Sequence, residues 1–230
     1  MPIAIGDIHG CLRPLRRLLT RLPRDRELVF LGDYIDRGPD SAAVLTTLQS
    51  LAAQRPCRFL LGNHEQLLLD ALQPGGEAGL WLINGGDATL ASYGLTPQQW
   101  GRQADRGAFL GRHLDFIESL PTYHEDAQTI FVHAGIDTTI PDMVDQDPQV
   151  LLWIRERFFR RAGRWHGKQI VFGHTPTFTM GLPHEIIFHA GRVYGIDTGC
   201  VYGGWLTALD MDTHQLYQEP AAGRPSHSLG

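Results

Sequence analysis

Ile3-Ala4-Ile5-Gly6-Asp7-Ile8-His9-Gly10 stands at the head of the chain, and Leu28-Val29-Phe30-Leu31-Gly32-Asp33-Tyr34-Ile35-Asp36-Arg37-Gly38 follows it. Each stretch is a short apolar run that breaks at a glycine and continues into carboxylate and imidazole side chains. The form recurs where Arg58-Phe59-Leu60-Leu61 precedes Gly62-Asn63-His64-Glu65. It recurs again where Thr129-Ile130-Phe131-Val132 precedes His133-Ala134-Gly135, and where Gln169-Ile170-Val171-Phe172 precedes Gly173-His174-Thr175-Pro176. Short apolar runs bounded by turn residues predict buried strands. Between the first of them, Leu12, Leu15, Leu18, Leu19 and Leu22 recur at helical spacing, and Asp40-Ser41 predicts the cap of a helix running to about Ala53. Strand and helix in alternation predict an α/β fold with parallel strands in the first third. Such a sheet binds ligands beyond the carboxyl ends of its strands, so the five polar segments are expected to meet there.

Further helices are expected at Glu65–Leu72, Gly107–Ser119 and Leu151–Arg161, with residues 74–105 forming an irregular or helical insert over the core. Residues 185–218 hold short strand-like pieces, Ile186–Phe188, Val193–Ile196 and Leu206–Leu209, that predict antiparallel pairing. One domain, 1–219, and a loose Pro/Gly/Ser-rich tail, 220–230, are expected. A net charge of −5 and a pI near 6.1 argue against a broad nucleic-acid surface. No apolar run reaches the roughly 20 residues of a membrane span, and the first strand begins too early for a leader peptide. Cys11, Cys57 and Cys200 form neither a disulfide framework nor a zinc pattern, and reduced thiols suit the cytoplasm.

Taken singly, the polar segments are ordinary. Asp-x-His after a strand is commonly a capped turn, Asn63 suits a helix cap, and a lone histidine suits a core. Five strand ends of one kind in one chain point to shared chemistry. The donors Asp7, His9, Asp33, Asn63, His133 and His174 mix oxygen with nitrogen and include no thiolate, which suits Mn, Fe or Zn. Six side chains exceed one open catalytic ion and suit two ions sharing a carboxylate, a pair that leaves positive charge for a phosphate dianion and a hydroxide. His64 is then the candidate acid for a leaving group, and Asp36 the carboxylate that orients it. Arg37 is placed to fork onto phosphate oxygens. Arg155 falls on an apolar helix line, Leu151–Arg155–Phe158, and needs either a substrate phosphate or a nearby acid; Arg157, Arg160 and Arg161 read as a solvated face. Asp197-Thr198-Gly199 reads equally as pocket wall or tight turn. The remaining histidines read as surface or structural.

As an ordered set these motifs resemble the calcineurin-like metallophosphoesterases, from residue 6 to about 210. More narrowly they resemble the bacterial and phage branch of the PPP-type serine/threonine protein phosphatases, with Trp153-x-Arg155-Glu156-Arg157 and Asp197-Thr198-Gly199 completing the match. The resemblance implies a central β-sandwich of mixed sheets flanked by helices. It also implies two divalent ions, often Mn, and direct attack of a metal-bridging hydroxide without a phosphoenzyme. It would put Asp7 and His9 on one ion, Asn63, His133 and His174 on the other, and Asp33 between them. His64 with Asp36 would be the acid pair, and Arg37, Arg155 and Asn63 would bind phosphate. The expected substrate is phosphoserine or phosphothreonine in a protein, or a small phosphoester. Symmetrical diadenosine tetraphosphatases share the His-Ala-Gly and Asp-Thr-Gly-Cys patterns and form the alternative, but commonly lack the acid at the Asp36 position. A non-catalytic phosphate-binding regulator is the alternative of another class.

Overall fold

The computed structural model describes residues 1–221. Strand β1 (Ile3–Ile5) leads to helix α1 (Leu12–Arg21), β2 (Leu28–Phe30) to α2 (Ser41–Ala52), and β3 (Cys57–Phe59) to α3 (Asn63–Leu72). Short helices follow: α4 (Ala78–Trp81), α5 (Asp87–Ser92), α6 (Pro97–Trp100) and α7 (Arg112–Glu118). The chain continues through β4 (Tyr123–Glu125), β5 (Thr129–Val132), α8 (Pro148–Trp153), α9 (Glu156–Phe159) and β6 (Gln169–Phe172). It closes with β7 (Phe188–Ala190), β8 (Val193–Gly195), β9 (Trp205–Asp210) and β10 (Leu216–Pro220).

The strands make two five-stranded mixed sheets, ordered β10-β9-β1-β2-β3 and β4-β5-β6-β8-β7. Each is built around three parallel strands, β1-β2-β3 in one and β5-β6-β8 in the other, with antiparallel strands outside. Side-chain alternation then assigns every face. Ile3, Ile5, Leu28 and Phe30 pack on Leu15, Leu18, Val44 and Leu48 of α1 and α2. Ala4, Val29, Leu31 and Leu60 point the other way, onto Phe131, Val171, Tyr194 and Ile196 of the second sheet. Ile130, Val132, Ile170 and Phe172 turn outward onto Leu151 and Phe158 beneath α8 and α9. The sandwich implied by the resemblance is therefore the observed fold. Strands buried on both faces explain why the runs read as continuously apolar. Each fully buried Leu, Ile or Phe contributes roughly 1.5–3 kcal/mol, so Phe131→Ala would strike the inter-sheet core directly.

Several local expectations are corrected. The helix expected over Leu151–Arg161 breaks between α8 and α9, where Arg155 has φ −129° and ψ −107°. Arg155 is thus exposed at a kink and is not on an apolar helix face. The helix expected over Gly107–Ser119 is interrupted at Gly111, whose φ of 51° no helix accommodates. In the last third β8 does pair antiparallel with β7, but it also runs parallel to β6, because its other edge completes the second sheet. The insert is helical and anchored by Trp81 and Trp100, both buried. Pro220 closes β10 and so belongs to the first sheet; the rest of the expected tail, beyond Ala221, lies outside the described residues.

Candidate active site

The loops after β1, β2, β3, β5 and β6 converge at one edge of the sandwich, as the sequence pattern requires. Asp7, His9, Asp33, Asp36, Asn63, His64, His133 and His174 are all buried there. Close approach explains two of the glycines. A Cβ on Gly62 would collide with the Asp33 carboxylate, and one on Gly173 with that of Asp7. Backbone strain is concentrated in the same place. His9, Asp33, Asp36, Arg37 and His174 have φ between 45° and 70°, and among the described non-glycine residues only His214 does so elsewhere. Each such residue costs on the order of 1–2 kcal/mol, and strain of this kind clusters at functional sites.

Hydrogen bonding fixes the donors. His9 Nδ1 lies 2.8 Å from Ile35 O and His133 Nδ1 lies 2.8 Å from Leu31 O. A carbonyl can only accept, so both rings carry the proton on Nδ1 and turn the Nε2 lone pair inward. His9 Nε2 is 3.3 Å from Asp33 Oδ2, and His133 Nε2 is 3.5 Å from Asp33 Oδ1. One carboxylate therefore shows one oxygen to each side of the site. Asn63 Oδ1 sits 3.0 Å from His133 Nε2 and 2.8 Å from His174 Nδ1. Asp7 is gripped by the His174 N–H, which donates to both of its oxygens.

The electrostatics call for cations. Asp7, Asp33, Asp36, Glu65 and Asp197 are buried together. Burial pushes the Asp7 carboxyl well up, with Asp197 and Asp33 adding to it. Burial and the Asp33 charge push Glu65 up to about 8, and burial pushes Asp197 up to about 6. Asp33 is the exception. Burial alone would raise it, but His133, His64, His9 and His174 surround it and hold it far below the usual carboxylate range. Burial in turn lowers His9, His133 and His174, against the opposing pull of the Asp33 charge, which favours the neutral form that ligates metal. Lone pairs of Asn63 Oδ1 and His133 Nε2 facing each other repel unless a cation lies between them. The residues fit divalent metal. Two groups, His9–Asp33–His64 and Asp33–His133–His174, each bring their ligand atoms within 4.8 Å of one another, and Asp33 is common to both.

His64 and Asp36 form a separate pair. His64 Nδ1 is 2.8 Å from Asp36 Oδ2, and His64 Nε2 is buried without a hydrogen-bond partner. Asp36 also accepts from Trp81 Nε1 at 3.1 Å to both oxygens and from Thr89 Oγ1 at 2.6 Å. Trp81 and Thr89 belong to the insert, and neither carried a sequence signal, because an apolar helix position predicts core for Trp and Thr alike. Arg37 Nη1 reaches His9 Nε2 at 2.6 Å, and its guanidinium lies 5.6 Å from the centre of the Tyr202 ring. Arg155 enters from the kink and donates through Nη1 to His174 O at 3.0 Å and Thr175 Oγ1 at 3.2 Å. Both arginines therefore reach the site. Glu65 was also unforeseen as a brace: its carboxylate accepts from the N–H groups of Asp33, Tyr34, Ile35 and Gly62. Asp197 proves to be both turn and wall. It accepts from the Gly199 N–H and lies in the field of Asp33, Arg37 and Arg155. Of the histidines read as surface or structural, His113 is buried between Thr46 Oγ1 and Tyr93 Oη.

A family model, calcineurin-like phosphoesterase, matches residues 3–195. The chain belongs to the calcineurin-like phosphoesterase family. Its members use divalent metals, and this chain is an enzyme of the metallophosphoesterase phosphatase group. It is 36% identical over 210 residues to serine/threonine-protein phosphatase 1 of Salmonella typhimurium, covering 88% of both chains. It is 29% identical to the symmetrical bis(5'-nucleosyl)-tetraphosphatase of Legionella pneumophila (strain Lens), covering 96% of this chain and 97% of that one. The crystal structure of a putative diadenosine tetraphosphatase superposes with a TM-score of 0.67 at 22% identity, covering 97% of each chain, a likeness of fold. Among the described residues no helix is long and apolar enough to cross a membrane.

Proposed function

We propose that this chain is a Mn-dependent phosphomonoesterase acting on phosphoserine and phosphothreonine in proteins. The observation that carries the reading is the buried His64–Asp36 pair, with His64 Nε2 free beside the metal-ligand cluster. Asp7 and His9 would hold one ion, Asn63, His133 and His174 the other, and Asp33 both. Bound ions supply a strong nucleophile from water at neutral pH and positive charge for the phosphoryl oxygens. Arg37 and Arg155 bind and orient those oxygens through their forked N–H groups, and the Asn63 amide N–H adds a donor. His64 gives its Nε2 proton to the departing serine or threonine oxygen. Asp36 holds the ring through Nδ1, and Trp81 and Thr89 hold Asp36. Cysteines that are all free support a cytoplasmic setting for the enzyme.

The preference for phosphoprotein rests on Asp36, on Trp153-x-Arg155-Glu156-Arg157, and on the higher identity to the Salmonella protein phosphatase. The second reading is a dinucleoside tetraphosphatase. It is favoured by the relatives so named and by two exposed aromatic rings at the rim, Trp153 against His174 and Tyr202 beneath Arg37, which offer stacking platforms for a base. Turnover of a phosphopeptide, an aryl phosphate and diadenosine tetraphosphate, each with and without Mn, separates the two. The phosphopeptide is expected to lead; turnover of the dinucleotide far above both would reverse the assignment.

A further inference from the structure

Between Trp81 and Thr89 the insert turns back on the loop after β2 and holds two adjacent residues, Asp36 and Arg37. Helices α4 and α5 are joined through Leu82–Gly86, and the helical path breaks at Gly85, where φ is 104° and ψ is 13°. Only glycine takes up that conformation readily, and it bends the segment. The bend turns the Gly85 carbonyl toward Arg37, whose N–H donates to it at 3.1 Å. It also brings the two segments into close contact. A Cβ on Gly85 would stand 2.8 Å from Arg37 Cγ and 2.8 Å from the Arg37 backbone nitrogen. Gly86 makes room on the other side, since a Cβ there would collide with the Trp81 indole, the ring that donates to Asp36. Thr89 Oγ1 completes the grip by accepting from the Asp36 N–H at 2.9 Å. Asp36 and Arg37 have φ of 70° and 67°, conformations that side chains resist and that persist only when the surroundings hold them.

We propose, resting on the reading of Arg37 as a phosphate binder, that Gly85 is the positioning residue of Arg37 and that the insert sets phosphate affinity through it. Arg37 leaves its loop beside the metal-ligand cluster, with Nη1 2.6 Å from His9 Nε2. A long side chain keeps its guanidinium in place only where its root is fixed. Gly85 fixes that root twice, by accepting the N–H and by leaving no slack against Cγ. A side chain at position 85 would have to displace the backbone of Arg37, which cannot swing aside as a side-chain tip can. The forked guanidinium would then meet phosphate oxygens away from its two-bond geometry. The insert reaches the acid pair through different atoms, from Trp81 Nε1 to Asp36. Phosphate affinity and proton delivery thus hang from one segment by separate contacts, and mutation can part them. A glycine needed only for the bend would disturb both together.

The test uses the full-length, metal-loaded protein. Wild type, Gly85→Ala, Gly85→Asn, Arg37→Ala and Gly85→Ala combined with Arg37→Ala are compared for KM and kcat on an aryl phosphate, inhibition by inorganic phosphate, metal content and denaturant unfolding. Gly85→Ala should raise KM and the phosphate inhibition constant about tenfold, with kcat changed much less and both ions retained. Asn tolerates positive φ better than Ala. Gly85→Asn should therefore be the more stable of the two, yet weaken phosphate equally, because its Cβ still meets Arg37. In the Arg37→Ala background, Gly85→Ala should weaken phosphate no further. Trp81→Phe, which keeps the ring and loses the N–H, should show the opposite split, with kcat lowered and phosphate inhibition near that of wild type. Should Gly85→Ala not fold, Gly85→Asn takes its place in both backgrounds. Unchanged phosphate inhibition in the position-85 variants, phosphate binding that recovers with stability in Gly85→Asn, or a loss that persists undiminished without Arg37 overturns the positioning role and leaves Arg37 a phosphate binder. Normal phosphate inhibition in Arg37→Ala itself overturns the reading of Arg37 and the positioning role with it.

Discussion

The loops after β1, β2 and β3 and the loops after β5, β6 and β8 meet at one site, but they are built differently. The first sheet contributes four of the five strained non-glycine residues of the site, His9, Asp33, Asp36 and Arg37; the second contributes only His174. The first also supplies most of the buried charge, Asp7, Asp33, Asp36 and Glu65, against Asp197 alone from the second. From the second sheet come two imidazoles that burial shifts toward the neutral form and the backbone N–H that grips Asp7. One sheet thus concentrates charge and strain, and the other closes around it with imidazoles and a backbone N–H. The lesson is that the two halves do not stand alone. On the proposed function, the carboxylates of the first would take cations that the second helps to hold, and Asp33, common to both candidate ligand groups, would be shared.

Asp33→Asn should break the arrangement most severely. Losing the shared charge should reduce metal content from two ions per chain to one or none and cut kcat by roughly 10⁴-fold, read by elemental analysis beside turnover. Glu65→Ala attacks only the first half. Four N–H groups lose their acceptor, and the chain should lose about 3–5 kcal/mol of stability, measured by denaturant unfolding of the metal-stripped protein. Unchanged stability would show that the strained loop holds itself. Asp36→Asn should keep both ions and lower kcat by about 10²-fold, with the loss confined to the limb of the pH profile that reports the acid. The mildest change sharpens the comparison from the other side. Arg155→Ala, at the kink between α8 and α9, should raise KM about tenfold at near-normal metal content, because it removes one charged phosphate contact.

How much of this was legible differs between the halves as well. The first sheet wrote its loops as contiguous motifs, so Asp7, His9, Asp33, Asp36, Arg37, Asn63 and His64 could be read directly. The second left isolated histidines, legible only because each followed an apolar run. Arg155 was found for the wrong reason. Helical spacing placed it on an apolar face, but a kink that spacing cannot foresee presents it to the site. Trp81 and Thr89 were hidden because their partner, Asp36, lies some fifty positions away and local pattern carries no information about such pairs. Glu65 looked like an ordinary first-turn acid. Three of its four N–H donors, Asp33, Tyr34 and Ile35, belong to a loop that becomes its neighbour only after the sheet forms. The positive φ values at His9 and Asp33 were equally hidden, since neither residue is a glycine.

The central claim is that His64 is the proton donor and Asp7 the metal ligand, although His64 stands within metal-binding distance of His9 and Asp33. His64→Asn separates the alternatives in a single preparation. Metal content and turnover on an aryl phosphate should be measured together. Two ions per chain with kcat lowered by about 10²–10⁴-fold is the predicted result. Loss of an ion in step with the activity would contradict it and make His64 a ligand.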